Sequence, residues 1–306
     1  MTNPEKWGTT VLPERDKSTI TAQQQGAGSV NTLRSLGLRT ELFFDRHMGQ
    51  LEPKEGYTVV RTPSNPHYWY GNYLLLPKPP EAGDYDRWMQ WFATAFPVTP
   101  SSHRVFQWDN TDAEAGEHQE FLDAGFELSS TDVLTARTLT PPASLHQTID
   151  IRPVDVEQEF EHLCHLWEDI HSSVKDGEVS ASHSEFVRQR IRSYLPLLEA
   201  GHGQWWGAWH EGQLVADLSL FFSDELGRFQ NVGTHPSVRR QGICRTLVYT
   251  TAAKALAERP DRTLVILAES DSAAGRIYRS LGFSQTETVV DLFRPPAEEM
   301  KEESFP

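Results

Sequence analysis

The chain has 306 residues and a formal net charge of −15, with 43 acidic side chains against 28 basic ones. Its length suits two domains of ordinary size, and its acidity argues against a nucleic-acid backbone as main partner while suiting a cationic or amine-bearing one. No apolar run is long enough for a membrane span, no basic-plus-apolar leader opens the chain, and Cys164 and Cys244 are its only cysteines, so the expectation is a soluble, cytoplasmic protein with no membrane partner and no disulfide scaffold.

In chain order, residues 1–30 are polar and read as a flexible tail. Tyr73-Leu74-Leu75-Leu76-Pro77 reads as a strand ending in proline. The aromatic residues around it, Tyr68, Trp69, Tyr70, Trp88 and Trp91, suit core and interdomain packing, with a share in an acceptor pocket as the other reading. Pro141, Pro142, Ala143 and Ser144 form a linker. Thr148–Pro153 alternates as a strand, and Val156–Ile170 follows with Phe160, Leu163, Leu166 and Trp167 at helical spacing. On that helix His162 and His165 lie three apart, but Cys164 faces elsewhere, so no metal site is expected.

Three strands, Trp205–Trp209, Leu214–Phe222 and Phe229–Thr234, then form a meander with turns at Glu211-Gly212 and Asp224–Gly227. A proline turn leads into Arg239-Arg240-Gln241-Gly242-Ile243-Cys244, a basic glycine loop that opens a helix. The first-turn N–H groups of that helix lack partners, Gly242 leaves them uncovered, and Arg239, Arg240 and Arg245 add positive charge, so the loop reads as a diphosphate site. Thr263–Ala268 is a buried strand, Ser272–Leu281 a short helix stopped by Gly282, and Phe283 starts a last strand.

The loop resembles the acyl-CoA signature of the GNAT N-acetyltransferases, Arg/Gln-x-x-Gly-x-Gly/Ala, with Arg239 and Gly242 in register and Cys244 in place of the last small residue. Asp271-x-x-Ala274-x-x-x-Tyr278-x-x-x-Gly282-Phe283 resembles the family's second signature, with Asp where Asn is usual. The resemblance implies an α/β (α+β) fold whose central sheet is mixed, mostly antiparallel and flanked by helices. It implies that acetyl-CoA is the acyl donor, held by Val232, Gly233 and Thr234 on a strand edge, by the loop residues Arg239, Arg240, Gln241, Gly242, Ile243, Cys244 and Arg245, and by Asp271 and Tyr278. A small-molecule or peptide amine would attack the thioester directly, and Tyr278 would be the general acid that protonates the leaving thiolate.

The first half of the chain echoes the second. Phe121-Leu122-Asp123-Ala124-Gly125-Phe126 aligns with Tyr278-Arg279-Ser280-Leu281-Gly282-Phe283 at an offset of 157 residues, and Arg137 stands to Arg294 at the same offset. Two GNAT-like domains follow, 31–140 and 148–306. After Pro77, however, the first half carries Lys78-Pro79-Pro80-Glu81-Ala82-Gly83-Asp84, with no arginine–glycine loop, and Phe121 lacks the hydroxyl of Tyr278. It reads as a degenerate, non-catalytic copy.

An amine with a pKa near ~10.4 is neutral only about once in two to three thousand molecules at pH 7, so a base is wanted. Asp217 and Gln230 on the meander, Glu168, Asp169 and His171 at a helix end, His235, and a water relay all stay open. Alternatives to an N-acetyltransferase of this general kind are a mycothiol-synthase-like tandem acetyltransferase and a non-catalytic acyl-CoA-binding or regulatory module.

Overall fold

The computed structural model describes residues 33–66, 68–97, 103–175, 179–223 and 225–295, and the expected tail at 1–30 lies outside them. In the first half of the chain, helix α1 (Leu36–Met48) precedes a hairpin of β1 (Gln50–Lys54) and β2 (Tyr57–Arg61). Then come β3 (Tyr73–Leu76), α2 (Asp84–Ala95), β4 (Arg104–Trp108), α3 (Gln119–Asp123) and β5 (Glu127–Ala136).

The second half runs β6 (Asp150–Pro153), α4 (Phe160–Lys175), α5 (Ala181–Ser193), α6 (Leu195–Glu199) and the meander β7 (Gly203–His210), β8 (Gln213–Ser223) and β9 (Leu226–Thr234). It closes with α7 (Ile243–Glu258), β10 (Thr263–Glu269), α8 (Ala273–Ser280) and β11 (Ser284–Arg294). Helix α4 starts at Phe160 rather than at Val156. The Val154 N–H is bonded to the Trp205 carbonyl (2.9 Å), which keeps the chain extended just past β6, and Val156 is buried in the turn that follows, ahead of the helix.

The strands form one eleven-stranded sheet in the order β1-β2-β3-β4-β11-β5-β10-β9-β8-β7-β6. Among the described strands only β3/β4 and β9/β10 pair in parallel, as a mixed, mostly antiparallel sheet requires. The two halves exchange their last strands. β5, from the first half, pairs with β10 of the second, while β11 pairs with β4 of the first. The exchanged strands then pair with each other, with Thr131 opposite Val289 and Asp132 opposite Thr288. The 157-residue offset carries the first of these pairs onto the second, so a local two-fold axis passes between them.

Side chains alternate across the sheet as period-2 strands dictate. One face packs Phe229, Leu264 and Ile266 against Leu247 and Val248 of α7 and Tyr278 of α8. The other face of the second half packs Trp205, Trp209 and Phe221 against α4, α5 and α6, with Phe44 of α1 in the same cluster. The first half closes on Trp88, Phe92, Phe106, Trp108 and Phe121. Trp88 and Tyr73 are therefore core residues, as the packing reading of the aromatic stretch expects.

Candidate active site

The glycine loop has the backbone an anion site needs. Arg240 and Gly242 both adopt left-handed conformations, φ 65° and 84°, and Gly242 is the N-cap of α7. The first intrahelical bond to reach the loop is Thr246 N–H to the Gly242 carbonyl (2.9 Å), so the N–H groups of Ile243, Cys244 and Arg245 have no partner one turn back. A Cβ built on Gly242 meets nothing within 4 Å. Arg240, Gln241, Gly242 and Arg245 line a polar cleft of about 410 Å³ whose opposite wall is Ser144–Gln147, at the end of the linker. The cleft, its two arginines and the helix end fit a diphosphate.

Beside the loop, β9 and β10 separate. They pair only at Leu226–Arg228 with Thr263–Val265, although β9 runs on to Thr234 and β10 to Glu269. A bulge in β9 widens the opening: the register against β8 shifts between Asp217 and Ser219, and Asn231 takes φ 54°. A bulge aims side chains away from the regular pleat. The β9 segment that carries Val232, Gly233 and Thr234 thus keeps one edge unpaired toward β10. The sequence holds no sign of this separation, because the strand partner of residues 229–234 is a nonlocal choice.

Tyr278 and Cys244 meet on the α7/α8 side. Burial raises the pKa of the phenol, and the neighbouring Cys244 adds to the effect, so the hydroxyl keeps its proton at any physiological pH. Burial pushes the Cys244 thiol up to about 11 despite its bond to Thr234 and the nearby Arg245. It is a packing residue and not a thiolate nucleophile. Arg239 is turned away from the cleft, donating to the Thr234 carbonyl (3.3 Å) and the Ser173 hydroxyl (3.3 Å). The Ile243 side chain is buried in the core, leaving its N–H as the group that faces the loop. Asp271 sits in a left-handed turn before α8 (φ 61°), and its carbonyl accepts from Arg276 (2.6 Å).

The proton-accepting candidates separate into three environments. Asp217 is fully buried and its Oδ2 accepts from the indole N–H groups of Trp167 (2.9 Å) and Trp205 (3.0 Å), while Oδ1 has no protein partner. Burial outweighs those bonds and lifts the carboxyl to about 7. His235 is tied to Ser237 (2.7 Å) and lies 3.3 Å from Asp169. His171 stacks on His183 with ring centroids 3.5 Å apart. Both rings, with Trp167 and Arg190, line a cavity of about 350 Å³ against residues 230–233 of β9. A second cavity, about 320 Å³, shares Tyr68, Phe186 and Gln230 with it and extends under α1 into the first half of the chain. Tyr68, Trp69 and Tyr70 line that cavity. Among the described residues no cluster of His, Cys, Asp and Glu could hold a metal ion, and no helix is long and apolar enough to cross a membrane.

The equivalent place in the first half has no arginine–glycine loop but keeps the turn. A glycine turn is present there: Gly83, φ 82° and ψ 9°, caps α2 in nearly the conformation of Gly242, φ 84° and ψ 4°. What differs is charge. Asp84 and Asp86 occupy the first turn of α2, where α7 has no acidic residue, and the buried Asp84 carboxylate accepts from the Glu81 N–H (2.9 Å) and pairs with Arg87. That helix end is satisfied by its own carboxylates and repels an external anion.

Residues 201–285 match the family model described as Acetyltransferase (GNAT) domain. No curated protein matches the chain in sequence. Among solved structures, a functionally unknown conserved protein from Staphylococcus epidermidis superposes with a TM-score of 0.66 at 14% identity, over 82% of this chain and 95% of that one. A GCN5-related N-acetyltransferase from Kribbella flavida superposes at 0.58 and 18% identity, over 86% and 96% of the two chains. One from Sphaerobacter thermophilus gives 0.51 at 16% identity, over 84% and 85%. These likenesses extend the fold to both halves. The segment that carries the glycine loop and Tyr278, residues 201–285, is similar to the GNAT acetyltransferase domain.

Proposed function

We propose that the chain is an acyl-CoA-dependent N-acyltransferase that moves an acetyl group from acetyl-CoA to an amine, with the second half active and the first a degenerate copy. The observation that carries this reading is the meeting of three features: an open helix end at Gly242 flanked by Arg240 and Arg245, a β9 edge left unpaired at Val232–Thr234, and the protonated Tyr278 phenol beside Cys244. The N–H groups of Ile243, Cys244 and Arg245 and the two guanidinium groups bind the diphosphate. The free backbone groups of Val232–Thr234 hold the extended arm by strand-like bonds. Acetyl-CoA supplies an activated thioester carbonyl, and the Tyr278 hydroxyl supplies the proton that the departing sulfur takes. In the first half, Phe121 stands where Tyr278 stands and α2 carries its own acids, which supports one site per chain.

Calorimetric titration with acetyl-CoA tests the reading, followed by CoA release with a panel of amines. One site per chain and amine-dependent release are expected. No binding would overturn the proposal, and binding without release from any amine class would favour an acyl-CoA-binding module instead.

A further inference from the structure

The cavity under α1 crosses five neighbouring strands on one face of the sheet. Its floor is Gln107 of β4, Asp291 of β11, Thr131 of β5, Leu267 of β10 and Gln230 of β9. The registers put these side chains on the same side, since Asp291 faces Gln107 directly and Val289, two residues before it, faces Thr131. One end therefore opens at the separated strands of the proposed acyl-transfer site. The other reaches Asp291 of β11 and Gln107 of β4, three and four strand spacings from β9, about 14 and 19 Å between backbones.

That far end is built to receive hydrogen-bond donors. Gln107 is 8% exposed, and its Oε1 is buried without a protein partner. Asp291 is 9% exposed, and its carboxylate accepts from the hydroxyls of Tyr70 (3.2 Å) and Ser129. No lysine, arginine or histidine is among the described residues that line the cavity, and its other carboxylate, Glu41, is already paired with Arg228 at 3.0 Å. The walls are the aromatic side chains of Tyr68, Trp69, Tyr70 and Phe186, surfaces that favour a cation. A partnerless amide oxygen beside a buried carboxylate that neutral hydroxyls hold, both among aromatic rings, matches a protonated nitrogen with several N–H groups.

We propose that this cavity is an acceptor site shared by the two halves, and that it takes elongated amines carrying a second, cationic nitrogen, which binds Asp291 and Gln107 while the reacting amine lies at Gln230. This deepens the N-acyltransferase reading and rests on it for the identity of the reacting end. It also gives the first half a role that needs no acyl donor of its own. Burial lifts the Asp291 carboxyl to about 7, and a bound cation would restore its charge.

The test is calorimetric titration of the full chain with 1,8-diaminooctane and with octylamine, without acyl donor, at pH 8. The diamine is expected to bind about tenfold or more tighter. Asp291→Asn should bring the two affinities within about threefold, and Gln107→Met should weaken the diamine, with melting temperatures showing that both variants fold. Equal binding of the two amines by the wild type, or a preference that survives Asp291→Asn, would overturn the proposal. CoA release separates the two readings: a diamine preference in binding with no release from acetyl-CoA keeps the cavity and sinks the transferase, while release from other amines with no diamine preference does the reverse.

Discussion

The carboxylate of Glu287 caps the helix that begins at Leu36: its Oε1 accepts the Leu36 N–H at 2.8 Å and its Oε2 accepts the Ser35 hydroxyl at 2.7 Å. The two partners lie 251 residues apart. Asp109 accepts the N–H groups of Arg34 (2.9 Å) and Ser35 (3.0 Å), so the start of α1 is pinned by the residue after β4 and by β11 together. Removing a buried charged acceptor from a helix end costs about 1–3 kcal/mol. Glu287→Ala is expected to lower stability by that amount in urea unfolding. A loss of a few tenths would mean that Asp109 and the Ser35 cap suffice.

The proposed proton donor and the proposed anion site should fail differently. Tyr278→Phe removes one hydroxyl from a buried ring, so acetyl-CoA affinity should hold while turnover falls roughly tenfold or more. Arg240→Ala should do the opposite first, weakening acetyl-CoA by about tenfold through a lost charge-assisted contact. Steady-state kinetics with calorimetry on both variants checks the pair. Equal effects on binding and turnover in both would dissolve the division of labour.

Asp217 makes stability depend on pH in a direction opposite to most carboxylates. Its folded carboxyl sits near 7 against an ordinary 3.8, chiefly through burial, so between those values the folded chain holds a proton that the unfolded chain releases. Stability therefore falls as pH rises through this window and levels off above about 7, a loss on the order of 4 kcal/mol. Asp217→Asn should flatten the decline between pH 5 and 7 in urea titrations. An unchanged slope would assign it to other groups, Asp291 foremost, since it titrates in the same range.

The strand exchange predicts that neither half is a folding unit. Residues 33–140 lack the strand that covers the β4 edge, and 148–295 lack the one that covers β10. Each half expressed alone should give poorly dispersed NMR spectra, and mixing the two should restore dispersion. A well-folded isolated half would show that its own last strand can return to its own sheet.

Much of the second half was legible. Apolar segments set off by the turns at Glu211-Gly212 and Asp224–Gly227 gave β7, β8 and β9, the glycine loop marked the start of α7, and the spacing from Asp271 to Phe283 marked α8. The exchange was not legible, because β5 and β11 both alternate and carry related residues, so either could pair with β4 or β10 by the same local rules. Helix α1 went unread although Ser35 is its local N-cap: the carboxylates that hold its start, Asp109 and Glu287, come from distant parts of the chain. Gln107 and Asp291 look like solvent-facing residues of alternating strands until α1 and Tyr68–Tyr70 cover them. Gly83 was readable as a turn, but without the arginines it gave no sign that its backbone would copy that of Gly242.

The exchange also sets a timetable for the chain as it leaves the ribosome. Strand β4, with Val105 and Phe106 buried in the sheet, is made early, yet its neighbour β11 is the last of the described strands to be made. Until then one side of β4 is an apolar edge offered to any strand nearby, and its closure must wait for contacts spanning more than half the chain. Any mutation that slows docking of residues 284–294 would leave the native contacts of the second half nearly complete and still expose the first half to aggregation during synthesis.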